Sequence, residues 1–147
     1  MVPRAVSLPL SLILENMSRE AFWEKIKRSI QKKSVVLGGE GGCITWTGAL
    51  DRHGYGRKAV VWPDGKKSEV GVHRLVYMAK QDLMWDEIPT NDGGGHPLDV
   101  SHLCHNKVCV NTEHLTLERR EVNNDRVHCF HQHRCSRWHD PHCLFFS

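Results

Sequence analysis

No stretch of this 147-residue chain approaches the roughly 20 consecutive apolar residues that a membrane span requires. The longest apolar run, residues 8–14, is interrupted by Pro9, and no small-residue cleavage pattern follows it. Neither a transmembrane helix nor a secretory leader is therefore expected. Glycine and proline, at 12 and 6 residues, are too scarce for a collagen-like chain, and no internal repeat is present. Hydrophobic residues make up 39%, charged residues 25% and aromatics 7%, which suits one soluble domain with a modest core and excludes disordered or fibrous chains. Residues 81–101 lack Lys and Arg altogether and carry Asp82, Asp86, Glu87, Asp92 and Asp99 instead. Against these scarcities stand 11 His and 6 Cys, two residue types that are usually rare, and metal binding is the first explanation for them.

The net charge of +3 is too small to mark a nucleic-acid binder by itself, yet it conceals segregation. Residues 18–33 hold six basic side chains (Arg19, Lys25, Lys27, Arg28, Lys32, Lys33) against Glu20 and Glu24. Residues 52–80 hold seven (Arg52, Arg57, Lys58, Lys66, Lys67, Arg74, Lys80) against Asp64 and Glu69. Such blocks can give a fold one positive face, the footprint that a phosphate backbone needs. Charge alone does not separate this from a solvated, blocky surface.

Composition divides the chain into a helical appendage (1–37), a glycine-rich joint (38–42) and a main domain (43–147). In the appendage Ser18 can cap a helix that puts Phe22, Ile26 and Ile30 on one face with Trp23 beside them. That helix could dock on the main domain, lie along DNA or pack against a partner chain, and docking is the plainest expectation. Gly38, Gly39, Gly41 and Gly42 form the joint. Beyond it, Gly54-Tyr55-Gly56-Arg57 leads into a strand over 58–62, Pro63-Asp64-Gly65 turns the chain, and 67–72 returns as a second strand. Alternation places Arg57, Ala59 and Val61 on one face and Lys58, Val60 and Trp62 on the other. Residues 73–80 read as a helix and 91–97 as a loop.

The segment 101–143 is the most informative. Zinc favours four soft or borderline ligands in a tetrahedron. Cys104-x4-Cys109-x4-His114 supplies three, and Cys43 is the one cysteine left upstream. Cys129-x5-Cys135-x3-His139-x3-Cys143 supplies a second complete set, in which His131, His133 and His142 compete with His139. The six cysteines thus divide into two sites of three thiolates and one imidazole. Three disulfides would leave the histidine spacing unexplained, and deprotonated thiolates on zinc suit a cytosolic or nuclear protein.

At this point the residues resemble a family. Ser101-His102-Leu103-Cys104-His105-Asn106-x-x-Cys109-x-Asn111-x-x-His114-Leu115, followed by Asn123 and Arg126, is similar to the His-Cys box homing endonucleases among the ββα-metal (His-Me finger) nucleases. Gly54-Tyr55-Gly56-Arg57 and Val72-His73-Arg74-Leu75 resemble segments of the related HNH nucleases. The similarity covers about residues 43–143. It implies an α+β, zinc-stabilised ββα-metal fold with an antiparallel hairpin and few helices. His102 would fall on the first strand, 114–117 on the second, and 119–127 on the helix. It also implies two structural zincs and one catalytic Mg2+ held by Asn123. Thr112 stands where relatives often carry proline after the asparagine. The family's dimerising enzymes use a tail beyond the second zinc, and only four residues follow Cys143 here, so a homodimer by that route is not expected.

These implications fit phosphodiester hydrolysis. A neutral His102 can take a proton from water, Asn123 offers a neutral oxygen to a hard cation, and Arg57 is the candidate cation for the scissile phosphate, with Lys58, Lys66 or Lys67 as substitutes. Arg57, Lys58, Lys66 and Lys67 would line a two-stranded ribbon of the size of a DNA major groove. Plainer readings exist: His102 as outer support for the first zinc, Asn123 as a surface residue equivalent to Asn124, His73 and His105 as structural, and Trp46, Trp62 and Trp85 as core. The expectation is a Mg2+-dependent DNA endonuclease acting on double-stranded DNA. The alternative is a zinc-built DNA- or protein-binding module that has lost cleavage. An intracellular location follows from the thiolates, and a nuclear one only from the substrate, since no clear basic import signal is present.

Overall fold

A computed structural model of the chain describes residues 10–132 and 139–144, with side chains from Ser18 onward. His133 and Cys135, both named above, lie outside the described residues. The elements run α1 (Leu10–Lys32), β1 (Ser34–Val36), β2 (Ile44–Trp46), β3 (Arg57–Val61), β4 (Lys67–Gly71), α2 (Val72–Gln81), β5 (Leu98–His102), β6 (Leu115–Arg119) and α3 (Arg120–His131). The strands form three antiparallel pairs, β1 with β2, β3 with β4 and β5 with β6. The architecture is mixed α+β, and its last three elements make the ββα unit. No helix among the described residues is long and apolar enough to cross a membrane.

α1 is longer than the capping reading implied. It begins at Leu10, and Ser18 is exposed in its interior. Residues 10–17 contain no glycine or proline to stop a helix, so helical backbone continues upstream of Ser18. The apolar face is as expected: Trp23, Ile26 and Ile30 are buried, with Phe22 packed against the core. Trp23 meets Trp62 edge-on at 6.3 Å between ring centroids, a geometry that the ring quadrupoles favour. Arg19 Nε and Trp23 Nε1 both donate to Asp82 Oδ1, at 2.9 and 3.1 Å. α1 is thus docked, and β1 behind it pairs with β2 across the glycine segment. The division at residues 38–42 is one of composition; the two sides share a sheet and a core.

The β3–β4 hairpin runs in register from Arg57 opposite Gly71 to Val61 opposite Lys67. Val60 and Trp62 are buried while Ala59 and Val61 face outward, as alternation predicts. The Gly-Tyr-Gly-Arg segment has a steric basis. Gly54 has φ +89°, and a Cβ on Gly56 would come within 2.6 Å of Trp46 Cδ1, so the buried indole requires a bare backbone there. Trp85 differs from expectation. It is 40% exposed, because it lies in the polar turn after α2 with the Lys66 ammonium 4.3 Å from its ring centroid.

In the ββα unit β5 and β6 pair from Leu98 opposite Arg119 to His102 opposite Leu115. The loop before β5 is closed by Asp92, which accepts from the backbone N–H groups of Gly94 and His96 at 2.9 and 3.1 Å and pairs with Arg119 Nε at 2.8 Å. Arg126 of α3 is fully buried and forms two bonds to Glu118 of β6, at 2.7 and 2.9 Å. This fork-to-fork pairing fixes the helix to the strand.

Replacing Ile30 by alanine is expected to lower stability by about 2–5 kcal/mol, read as a shift in the urea midpoint of the metal-loaded protein. An unchanged midpoint would contradict the docking of α1. The Gly94 amide and its neighbours hold the Asp92 carboxyl at about 2, below its unfolded value near 3.9. Its contribution to stability is therefore present above about pH 4 and lost as the pH falls from about 4 toward 2. Asp92→Asn should flatten that limb of the stability profile, measured by denaturant midpoints at a series of acidic pH values.

Candidate metal centres and active-site cleft

Strand pairing brings Cys43 to residues more than sixty positions downstream. Trp46 N donates to Val108 O at 2.8 Å and Val110 N donates to Ile44 O at 2.7 Å, so β2 lies along the loop that follows β5. The donor atoms of Cys43, Cys104, Cys109 and His114 then lie within 4.8 Å of one another. His114 Nδ1 is 3.6 Å from Cys43 Sγ and 3.4 Å from Cys109 Sγ. A zinc tetrahedron with bonds of about 2.0–2.3 Å places its ligand atoms roughly 3.4–3.8 Å apart, so the set fits that ion. The other nitrogen, Nε2, donates to Gly41 O at 2.7 Å, which fixes the tautomer and leaves Nδ1 as the donor to metal. Asn111 Nδ2 donates to Gly42 O at 2.8 Å. The glycine joint is therefore held as an outer layer of this centre. A hydrogen bond from Cys104 and others pull the Cys109 thiol down to about 4, while the same bond and burial push Cys104 up. Three thiols crowded together cannot all ionise without a cation.

At the second centre Cys129 and His139 lie with Asp125 in a cluster within 4.8 Å, and Cys143 Sγ is 3.9 Å from His139 Nδ1. His139 Nε2 is 2.8 Å from Asp125 Oδ2, the same division of labour as at His114, with a carboxylate holding the far nitrogen. Arg126 donates to Cys143 Sγ at 3.4 Å. Cys135 lies outside the described residues. Sequence reading missed Asp125, although its position four residues before Cys129 on one helix places both on the same face.

A cleft of about 550 Å³ opens at the ββα unit, lined by residues that include Tyr55, Arg57, His73, Arg74, Asp99, His102, Lys107, Arg120 and Asn123. His102 ends β5, is 8% exposed and has Nε2 3.0 Å from Cys109 O. A carbonyl accepts only, so Nε2 carries the hydrogen and Nδ1 is left with a lone pair. The His73 ring lies 4.6 Å from that of His102, with Tyr55 at 5.4 Å from His73. Burial lowers the affinity of both imidazoles for a proton, that of His73 to about 3. Asn123 Nδ2 donates to Asp99 Oδ2 at 3.4 Å, and Asp99 also receives Arg120 Nε and Nη2. The amide oxygen of Asn123 remains available beside a carboxylate, a pair of hard oxygen donors that fits a hard cation such as Mg2+.

Of the hairpin cations, Arg57 lines the cleft, where it is bonded to Glu69 through Nε at 3.3 Å and through Nη2 to the Glu69 carbonyl at 3.0 Å. Lys67 stands on the outward face opposite Val61. Lys58 is on the inward face, where burial and the Lys33 charge lower its pKa. Lys66 covers Trp85. Arg74, Asp99 and Lys107 also line the cleft and were not singled out by sequence reading. For Arg74 the signal was its place beside His73 in the HNH-like segment; for Asp99 and Lys107 only the folded chain reveals the position.

A ββα unit joined to a Cys/His set that could hold zinc and to a histidine-lined cleft is the arrangement of a His-Me finger domain. Residues 42–145 match the family described as the zinc-binding loop region of homing endonuclease, and the chain belongs to that family. It is also 36% identical over 83 residues to protein 7.7 of Escherichia phage T7, a match covering 56% of this chain and 52% of that protein. The match thus spans about half of the relative's length.

Cys43→Ala should remove one equivalent of zinc per chain in metal analysis and lower the thermal midpoint. The lost ligand lies where β2 meets the loop, so both the metal and that junction weaken. Unchanged zinc content would exclude Cys43 as a ligand.

Proposed function

We propose that the protein is a Mg2+-dependent endonuclease that hydrolyses phosphodiester bonds of double-stranded DNA, with two structural zincs. The zinc ligands would be Cys43, Cys104, Cys109 and His114 at one centre and Cys129, Cys135, His139 and Cys143 at the other. The observation that carries this reading is the state of His102. Its Nε2 is engaged by the Cys109 carbonyl, and its ring lines the same cleft as Asn123. Among the described residues its Nδ1 makes no hydrogen bond to a ligand side chain, which leaves that nitrogen as an acceptor facing the reaction.

In the proposed reaction His102 Nδ1 takes a proton from a water molecule as that water's oxygen bonds to phosphorus. The bond from phosphorus to the 3′ oxygen breaks, and the leaving oxygen is protonated from solvent. Asn123 Oδ1 would hold Mg2+, which supplies charge neutralisation at the phosphate and the leaving oxygen. Asp99 holds the Asn123 amide so that its oxygen, and not its nitrogen, is free. Burial of His102 and His73 keeps both imidazoles neutral, which leaves the base ready to accept. Arg57 and Lys67, with Lys58 and Lys66 nearby, make the hairpin a positive ribbon of the width of a major groove.

The test is incubation of the zinc-loaded protein with supercoiled plasmid and Mg2+. His102→Ala and Asn123→Ala should each slow nicking by about 10²–10⁴-fold, the usual range for loss of a general base, while still retarding DNA on a gel. If the unaltered protein retards plasmid and leaves it intact, a DNA-binding module replaces the enzyme.

A further inference from the structure

α3 divides its surface between the interior and the cleft. Arg126 and Cys129 are its buried residues, while Arg120, Asn123, Val127 and Phe130 line the cleft, spaced by three or four residues and so along one side of the helix. That stripe changes character along its length. Its N-terminal half carries the guanidinium and the amide that meet Asp99. Its C-terminal half carries two apolar side chains, Val127 at 40% and Phe130 at 38% exposure. Neither belongs to the hydrophobic core or to the apolar side chains packed against it. Core burial therefore does not account for their place in a cleft lined mainly by charged and polar groups.

Phe130 is also backed by a second ring. The His105 imidazole stacks against it with planes 10° apart and centroids 4.8 Å apart. His105 has φ +60°, a left-handed conformation that few non-glycine residues adopt, so the loop after β5 spends backbone freedom to bring this ring to the cleft. Two stacked rings with aromatic surface still exposed, continuous with the Asn123 amide, form a platform for a third planar group.

We propose that this shelf receives a nucleobase that has left the DNA stack, and that the protein therefore prefers DNA whose pairing is lost at the place of cutting. The inference rests on the nuclease reading above and narrows its substrate. A base is favoured over other planar groups because Arg57, Arg74 and Lys107 line the same cleft, and cations along a strand with an aromatic surface under its bases are the combination that holds unpaired nucleic acid. A base within a duplex has both faces covered by its neighbours, so only an unstacked one presents a face to Phe130. Asn123 and Phe130 are seven residues apart, about 10.5 Å of helix, which equals about three steps of 3.4 Å along a strand. The base on the shelf thus lies within about three nucleotides of the phosphate beside Asn123.

The experiment titrates the zinc-loaded full chain, with Ca2+ in place of Mg2+, against two 20-base-pair duplexes of one sequence, the first fully paired and the second with three consecutive central mispairs. Phe130→Leu, Phe130→Trp and, as a control on an exposed ring outside the cleft, Trp85→Ala are measured beside it. The unaltered protein is expected to bind the mispaired duplex about 5–150-fold more tightly, the worth of one stacked base. Phe130→Leu keeps an apolar side chain and should bring the two affinities within threefold of each other, with that for the paired duplex unchanged. Phe130→Trp and Trp85→Ala should both retain the preference. Equal affinities of the unaltered protein for the two duplexes overturn the proposal whatever the variants do, and so does a preference that survives Phe130→Leu. With Mg2+ restored, nicks should fall within about three nucleotides of the mispairs, the distance set by the helix; nicks spread evenly along the duplex overturn the placement beside Asn123. A preference that depends on Phe130 without any nicking upholds the shelf and removes the nuclease reading. Binding to neither duplex removes both.

Discussion

The junction of Cys43, Cys104, Cys109 and His114 is the constraint on which the rest of the molecule depends. Its donors come from the start of β2, from the loop after β5 and from the turn before β6, so one small cluster ties the N-terminal hairpin to the ββα unit. Cys109 serves it twice. Its thiol belongs to the cluster and its carbonyl accepts from His102 Nε2. The orientation of the candidate base is thus set by the backbone of a residue whose side chain is fixed by the metal set.

Order spreads outward from this junction by short polar links. Gly41 and Gly42 offer carbonyls to His114 and Asn111, which turns a segment of intrinsically free backbone into a fixed layer. On the far side Arg126 bridges Glu118 and Cys143, carrying the second centre against β6. The imidazoles of His73 and His102 lie against one another in the cleft with burial lowering their affinity for a proton, and of its cations Arg57, Lys107 and Arg120 are each held by an acceptor of the protein's own.

Much of this was legible in the sequence, for reasons that differ from element to element. The hairpin from Arg57 to the returning strand rests on local signals, alternation and turn residues; the ββα order follows from the family resemblance, and Cys43 joins the downstream set by ligand count, as the one cysteine left upstream. The start of α1 was not legible, because Ser18 satisfies a capping pattern as well in a helix interior as at an end. Trp85 reads as core by residue type, whereas the fold leaves it exposed in the turn after α2 with only Lys66 over its ring. Asp99 and Lys107 escaped because their place in the cleft is relational. Whether a charged side chain faces the cleft, and what engages it there, depends on neighbours brought close by folding, and no spacing rule encodes that. The choice of Arg57 as the phosphate contact followed the motif, and the structure shows the acceptor, Glu69, that stands across the hairpin from it.

The docking of α1 has a bearing on how members of this family should be divided into units. The family match begins at residue 42, but Trp62 takes ring neighbours from Trp23 and Phe22, and Trp46 N–H lies in a strand whose partner is Ser34–Val36. A fragment cut at the family boundary would retain every candidate ligand and the whole cleft, yet uncover the face of Trp62 that Trp23 and Phe22 pack against and leave one edge of β2 open. The evolutionary module and the packed unit are therefore different objects in this chain, and the segment that carries none of the candidate ligands is the one that covers this face and this edge.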